Sequence, residues 1–137
     1  MKKTIKISAK GNTDIINITG KIQDFLKESK IKSGIINIFS KHTTAGLAII
    51  ENETGVIQDF KEVFEKIAPI NKSYNHNKIQ NDDNAHAHIS TTLLGQSLTM
   101  PFENNKLSLG IWQQVVFVDF DTKPRAREVI MTIIKDD

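Results

Sequence analysis

The sequence predicts an α+β fold, a largely antiparallel β-sheet, sandwich-like, with helices packed on it, and three observations carry that prediction. Strand signals follow strand signals directly, as in 98–102 before 107–109 and 112–120 before 128–134. Two segments carry apolar residues at three-to-four spacing, the mark of a one-faced helix. Helices fall irregularly between the strands, which disfavours repeated strand–helix–strand crossovers and a parallel sheet. At 137 residues the chain is of single-domain size, and no repeat or linker divides it, so residues 1–137 are read as one domain.

Residues 4–8 alternate polar and apolar, 9–12 supply turn chemistry, and 14–18 resume the apolar pattern, which reads as a β-hairpin. Thr19 is expected to cap a helix whose Ile22, Phe25 and Leu26 face a sheet, and Gly34 to end it. Two apolar runs, 35–39 and 46–50, flank a polar connection. From Thr54 to Ala68, Val56, Phe60, Val63, Phe64 and Ile67 mark one side of a second helix, stopped by Pro69. Residues 71–83 show no periodicity and read as a loop, long enough to suggest function. Asp83 or Asn84 then caps a short helix carrying Ile89, Leu93 and Leu94, with Gly95 in a left-handed position after it. Pro101 marks 98–102 as an edge strand, 103–106 is a turn, and 112–120 and 128–134 are the strongest strands.

Apolar and charged fractions of 39% and 25% are those of an ordinary folded protein, which excludes a disordered chain. There is no cysteine, so any metal, Zn or Mg being the candidates, must be held by His and carboxylate. A net charge of +2 with no basic stripe argues against nucleic acid as a partner. No run approaches the length of a membrane span and the basic N-terminus lacks a signal peptide's apolar stretch, so the expected location is the cytoplasm.

Histidine is the natural candidate for proton transfer or metal binding near neutral pH, and the chain has four: His42, His76, His86 and His88. All lie in or beside predicted loops. His86 and His88 are two apart in a helical turn and point opposite ways, so one of them is expected to be structural. Three imidazoles with a carboxylate or water would make an open metal site of the catalytic kind. Thr43 and Thr44 follow His42 in a small hydroxylated segment that allows close approach to an anion, though plain turns look the same. Asn52 is read equally as a helix cap, and Glu51 offers a carboxylate beside it. Arg125 and Arg127 suit phosphate or carboxylate recognition, against a solvated strand edge. Trp112, the one tryptophan, is read as core or interface before stacking surface. Neither a phosphate-cradling glycine loop nor a nucleophile elbow is present.

The segments HTTAGLAIIEN, DNAHAHISTTLLGQSLTMPF and LGIWQQVVFVDFDTKPRAR together resemble the YjbQ-like family, a group of uncharacterised proteins also labelled secondary thiamine-phosphate synthase. The resemblance spans nearly the whole chain. It implies an antiparallel α+β fold assembled as a homotrimer, with histidine-lined pockets near subunit contacts. By motif position it implies His42, His88 and Glu51 as catalytic residues. Thr43, Thr44, Asn52, Trp112, Gln113, Arg125 and Arg127 fall to a small phosphorylated substrate, and His42, His76, His86 and His88 to a possible divalent metal. No organic cofactor is implied. Ile111 stands where the family usually has Thr, and Asp119 where Glu or Asn-Glu is common, so a substrate contact at either position is in doubt.

Two functions are expected to compete. One is a transferase joining a pyrimidine pyrophosphate to a thiazole phosphate as a secondary activity, since the dedicated (β/α)8 barrel needs roughly 200 residues or more. The other is a trimer that binds a metal or phosphorylated ligand without turning it over.

Overall fold

The computed structural model describes residues 1–136. Its elements run β1 (Lys2–Ala9), β2 (Asp14–Asn17), α1 (Thr19–Ser29), β3 (Ser33–Ser40), β4 (Ala45–Glu51), α2 (Thr54–Ile67), α3 (Asn75–Gln80), α4 (Ala85–Leu94), β5 (Ser97–Glu103), β6 (Lys106–Leu107), β7 (Gln113–Asp119) and β8 (Arg125–Lys135). The strands form two sheets, ordered β1-β8-β3-β5-β6 and β2-β7-β4, and every pairing is antiparallel. The α+β expectation with a sandwich-like sheet therefore holds.

The layers follow from strand alternation. On β7, Val115 and Phe117 point into the main core between the sheets, with Ile36, Ile38, Val129 and Met131 from the larger sheet. Val116 and Val118 point the other way, with Phe120 just beyond, and pack with Ala87 of α4 and with Phe60 and Phe64 of α2. A strand apolar on both faces is what a middle strand covered on both sides requires. Ile22, Phe25 and Leu26 of α1 join the main core.

Several local expectations are corrected. The first two strands are not a hairpin: β1 pairs with β8 and β2 with β7, in different sheets. The intervening bend is pinned to the β7–β8 turn by the Asn12 N–H on the Asp121 carbonyl, and Gly11 (φ +81) sits so close to that carbonyl that a Cβ would clash. Helix α1 ends at Ser29 through Lys30 in a left-handed conformation, while Gly34 lies inside β3, where a Cβ would strike the Ile134 carbonyl. The 71–83 segment contains α3. Gly95 has φ 101 and ψ 159, a positive-φ conformation outside the left-handed helical region. The turn at Asn104-Asn105 has φ of 52° and 59°, the paired left-handed residues of a two-residue hairpin.

Candidate functional site

The site residues gather at the two ends of the β4–β7 ladder, and each end is built differently. The ladder runs from Ala45↔Asp119 to Glu51↔Gln113. Its ends are about 20 Å apart at strand rise.

At the first end, β8 residues 125, 127 and 129 share one face of their strand, so Arg125 and Arg127 continue the line of core-facing Val129 towards the mouth between the sheets. Asp119 comes from the inner face of β7, and Asp121 from the turn beyond. Arg127 is 5% exposed and holds Asp119 with two bonds, Nε to Oδ2 at 2.7 Å and Nη2 to Oδ1 at 3.1 Å. The same Nη2 donates to Asp121 Oδ2 at 3.1 Å and to Thr44 Oγ1 at 2.9 Å, and the Thr44 hydroxyl donates to Asp121 at 3.1 Å. Arg125, half exposed, donates through Nε to Asp121 at 2.8 Å. Burial opposes ionisation of Asp121, but the Thr122 N–H, the Arg125 guanidinium and the Thr44 hydroxyl outweigh it and hold its carboxyl below the ordinary range. Arg127 is thus neither a solvated edge nor open to a ligand, and Thr44 is buried in the same network. The shorter Asp119 reaches Arg127 fully.

His42 lies beside this network. The Glu128 N–H donates to its Nε2 at 2.9 Å, so Nε2 carries a lone pair and the neutral ring bears its proton on Nδ1. Burial and the Arg127 charge push its pKa below the ordinary imidazole value. In this arrangement His42 is a hydrogen-bond donor through Nδ1, not a metal ligand through Nε2.

The paired histidines of α4 separate as helical geometry requires. His86 is 4% exposed and donates through Nε2 to the Phe120 carbonyl at 3.2 Å, leaving Nδ1 buried without a partner. Burial lowers its pKa, against the opposing pull of the Phe120 carbonyl. It fastens α4 to the end of β7. His88 is half-buried and meets His76 edge-on, with ring centroids 4.6 Å apart. His76 Nε2 also bonds Asn84 Oδ1 at 3.1 Å and lies 3.9 Å from Asp82 Oδ2. The four imidazoles do not converge: among the described residues, no group of three or more His, Asp or Glu is placed to hold a metal ion.

At the second end, Glu51 closes β4, exposed, and Trp112 precedes β7, 70% exposed beside Ile111 at 87%. Trp112 is therefore not core. These residues line a hollow of about 310 Å³ with Asn17, Asn52, Glu53 and Gln114. The helix cap is Glu53, whose carboxylate accepts from the Gly55 and Val56 N–H groups, and Asn52 Oδ1 is left buried and without a donor. Gln113 spends its Oε1 on the Gly110 N–H at 2.8 Å. Glu51 thus lies a ladder's length from His42 within one chain, so the motif-based trio of His42, His88 and Glu51 is not assembled there. Sequence reading missed Asp121 altogether; the signal available was its place two residues after Asp119 and four before Arg125.

Comparison with known proteins agrees with this architecture. A family model described as UPF0047 protein YjbQ-like matches residues 3–136. A UPF0047 protein of Archaeoglobus fulgidus is 38% identical over 131 residues, covering 96% of this chain and 98% of its own. A crystal structure from Sulfolobus solfataricus P2, of a YbjQ-like protein of unknown function, superposes with a TM-score of 0.93 at 31% identity, covering 99% and 97%. A hypothetical protein from Aeropyrum pernix K1 gives a TM-score of 0.92 at 29% identity, covering 99% of each chain. The chain belongs to the YjbQ-like UPF0047 family.

Proposed function

We propose that the chain works as a homotrimer binding a small phosphorylated molecule at the Arg125 end, with thiamine-phosphate formation as a secondary transferase activity. The observation that carries the reading is Arg125 held half exposed by Asp121, above a buried network of Arg127, Asp119 and Thr44. Buried ion pairs give little net stability over apolar packing, so a network this complete is better explained as holding Arg125 in place, with His42 oriented beside it by the Glu128 N–H. Arg125 keeps both terminal guanidinium nitrogens for phosphate oxygens, a fork suited to them. His42 offers Nδ1–H, a neutral donor for a leaving oxygen. The half-buried His76 and His88, with Asp82 nearby, supply imidazole for a divalent cation if a further ligand joins them. For the trimer, the support is apolar surface on the outer face of the larger sheet, where Ile35, Phe39 and Ile134 are 40%, 41% and 58% exposed.

The test is an assay of thiamine phosphate formation from the two phosphorylated halves, with metal analysis and sedimentation of the same protein. Turnover is expected to fall at least about tenfold in Arg125→Ala, the scale of one lost charged hydrogen bond, and in His42→Ala. Parent-level turnover in both variants removes this end from the mechanism. Phosphate-ester binding that needs Arg125, without turnover, favours the non-catalytic binding trimer.

A further inference from the structure

The His42 ring is oriented by what it accepts. The β3–β8 ladder ends at Ser40↔Val129, and the N–H of Glu128, next along β8, meets His42 Nε2 at 2.9 Å where a strand carbonyl would otherwise stand. That bond keeps the ring proton on Nδ1. It depends on where the backbone of residues 41 and 42 lies, because a shift of about 1 Å takes Nε2 out of hydrogen-bond range. Two further contacts fasten these residues. Lys41 Nζ meets Glu128 Oε2 at 2.6 Å, but both side chains are well exposed, and such a pair is worth little in water. Gln96 Nε2 donates to the His42 carbonyl at 2.9 Å in a partly buried position. Gln96 is itself fixed. Its own carbonyl accepts the Ser40 N–H at 2.8 Å and the Gly95 carbonyl accepts the Leu47 N–H at 3.0 Å, so the α4–β5 junction is tied to the end of β3 and to β4 at once. A Cβ at Gly46 would strike the Gly95 carbonyl, so the junction lies hard against β4.

We infer that Gln96 is a positioning residue: by holding the His42 carbonyl it sets the ring against the Glu128 N–H and so keeps Nδ1–H as the hydrogen that His42 offers. Its importance for turnover rests on the proposed reading of His42 as donor to a leaving oxygen, but the orientation itself does not. Arg127, Asp119 and Lys41 also face the ring, and their charges bear on whether it is protonated. Which nitrogen of the neutral ring carries the proton is decided by the hydrogen bonds around it. Gln96 therefore acts through His42 and touches no reacting atom.

The test is the tautomer of His42, read from imidazole nitrogen NMR spectra of the labelled full-length protein at about pH 8, where a histidine is neutral. Its signals are assigned by their loss in His42→Ala. The parent is expected to show a protonated Nδ1 and a bare Nε2. Gln96→Leu keeps the bulk and removes the donor, and it is expected to move the ratio of the two tautomers at least about threefold towards Nε2–H, the worth of one ordinary hydrogen bond. Gln96→Glu, the same shape with acceptors only, is expected to move it the same way and serves if the leucine variant does not fold. Gln23→Leu removes a side-chain clamp of the same kind, from Gln23 Nε2 to the Asn105 carbonyl beside β6, and is expected to leave His42 unchanged, as is Lys41→Met. The inference is overturned by an unmoved tautomer in the Gln96 variants, or by an equal shift in Gln23→Leu or Lys41→Met. Thiamine phosphate formation is assayed on the same samples. A tautomer that shifts in a protein without turnover supports the positioning and removes the reaction, whereas turnover with an unmoved tautomer does the reverse.

Discussion

The two ends of the β4–β7 ladder carry similar numbers of polar side chains and use them in opposite ways. At the Ala45↔Asp119 end, Asp119, Asp121, Thr44 and Arg127 satisfy one another out of contact with water. At the Glu51↔Gln113 end, Glu51 is unpaired among the described residues, Asn52 Oδ1 has no donor, and Trp112 is bare. Polar content alone therefore does not mark a binding surface. What separates the two ends is where hydrogen-bonding capacity is spent: at the first it is consumed inside the network, and only Arg125 and His42 at its rim keep donors for a ligand.

The sharpest way to break this contrast is to remove a partner from the saturated end. Asp119→Ala leaves the Arg127 guanidinium in a site 5% exposed with much of its counter-charge gone. The expected loss is about 3–5 kcal/mol of unfolding free energy, read from a denaturant titration. A loss below about 1 kcal/mol would mean that water enters and solvates Arg127, and the end is then not a rigid support. Thr44→Val keeps the volume and removes only the hydroxyl that joins Asp121 to Arg127. A cost of roughly 1–3 kcal/mol is expected from the same measurement.

The same end has a pH signature. His42 and His86 both have folded pKa values pushed below the ordinary 6.5, His42 by burial and then Arg127, His86 by burial. A depressed value means that the unfolded chain takes up protons first. Their contribution to stability is thus complete above about pH 6.5 and is lost as the pH falls towards the folded values. Unfolding midpoints measured across that range are expected to drop. In His86→Gln the drop is expected to be shallower, because the amide still donates to the Phe120 carbonyl but cannot be protonated. An unchanged slope would assign the whole effect to His42 or to the carboxylates.

Much of the fold was legible because single elements announced themselves. The two-faced apolar run 115–118 is a covered middle strand, and the one-sided spacing from Val56 to Ile67 is α2 with Phe60 and Phe64 on its inner side. The first two strands misled, because alternation shows that a strand exists and not which partner it takes. In the structure β1 lies along β8 and β2 along β7, and the bend between them is pinned by the Asn12 N–H on the Asp121 carbonyl with Gly11 in close approach. In the site, the opposed directions of His86 and His88 follow from helical geometry and were readable. The capture of Arg127 by Asp119 and Asp121 was not, since a charged residue on a strand looks the same in sequence whether it faces solvent or a buried counter-charge.

The smallest expected effect is at the other end, and it tests the comparison from the opposite side. Trp112 would be the most costly residue to truncate if it belonged to the core, at about 3–5 kcal/mol for Trp→Ala. At 70% exposure, with no place in either apolar cluster, it has little packing to lose. Trp112→Ala is expected to change unfolding free energy by no more than about 0.5 kcal/mol, measured at several protein concentrations so that any self-association shows as a concentration dependence. A loss of several kcal/mol would show the indole packed in solution and its hollow closed, and the two ends would then differ in shape but not in unspent capacity. A near-zero value leaves a large aromatic surface that contributes nothing to the fold of one chain, and the Glu51 end then differs from the packed Arg127 end in stability as well as in pairing.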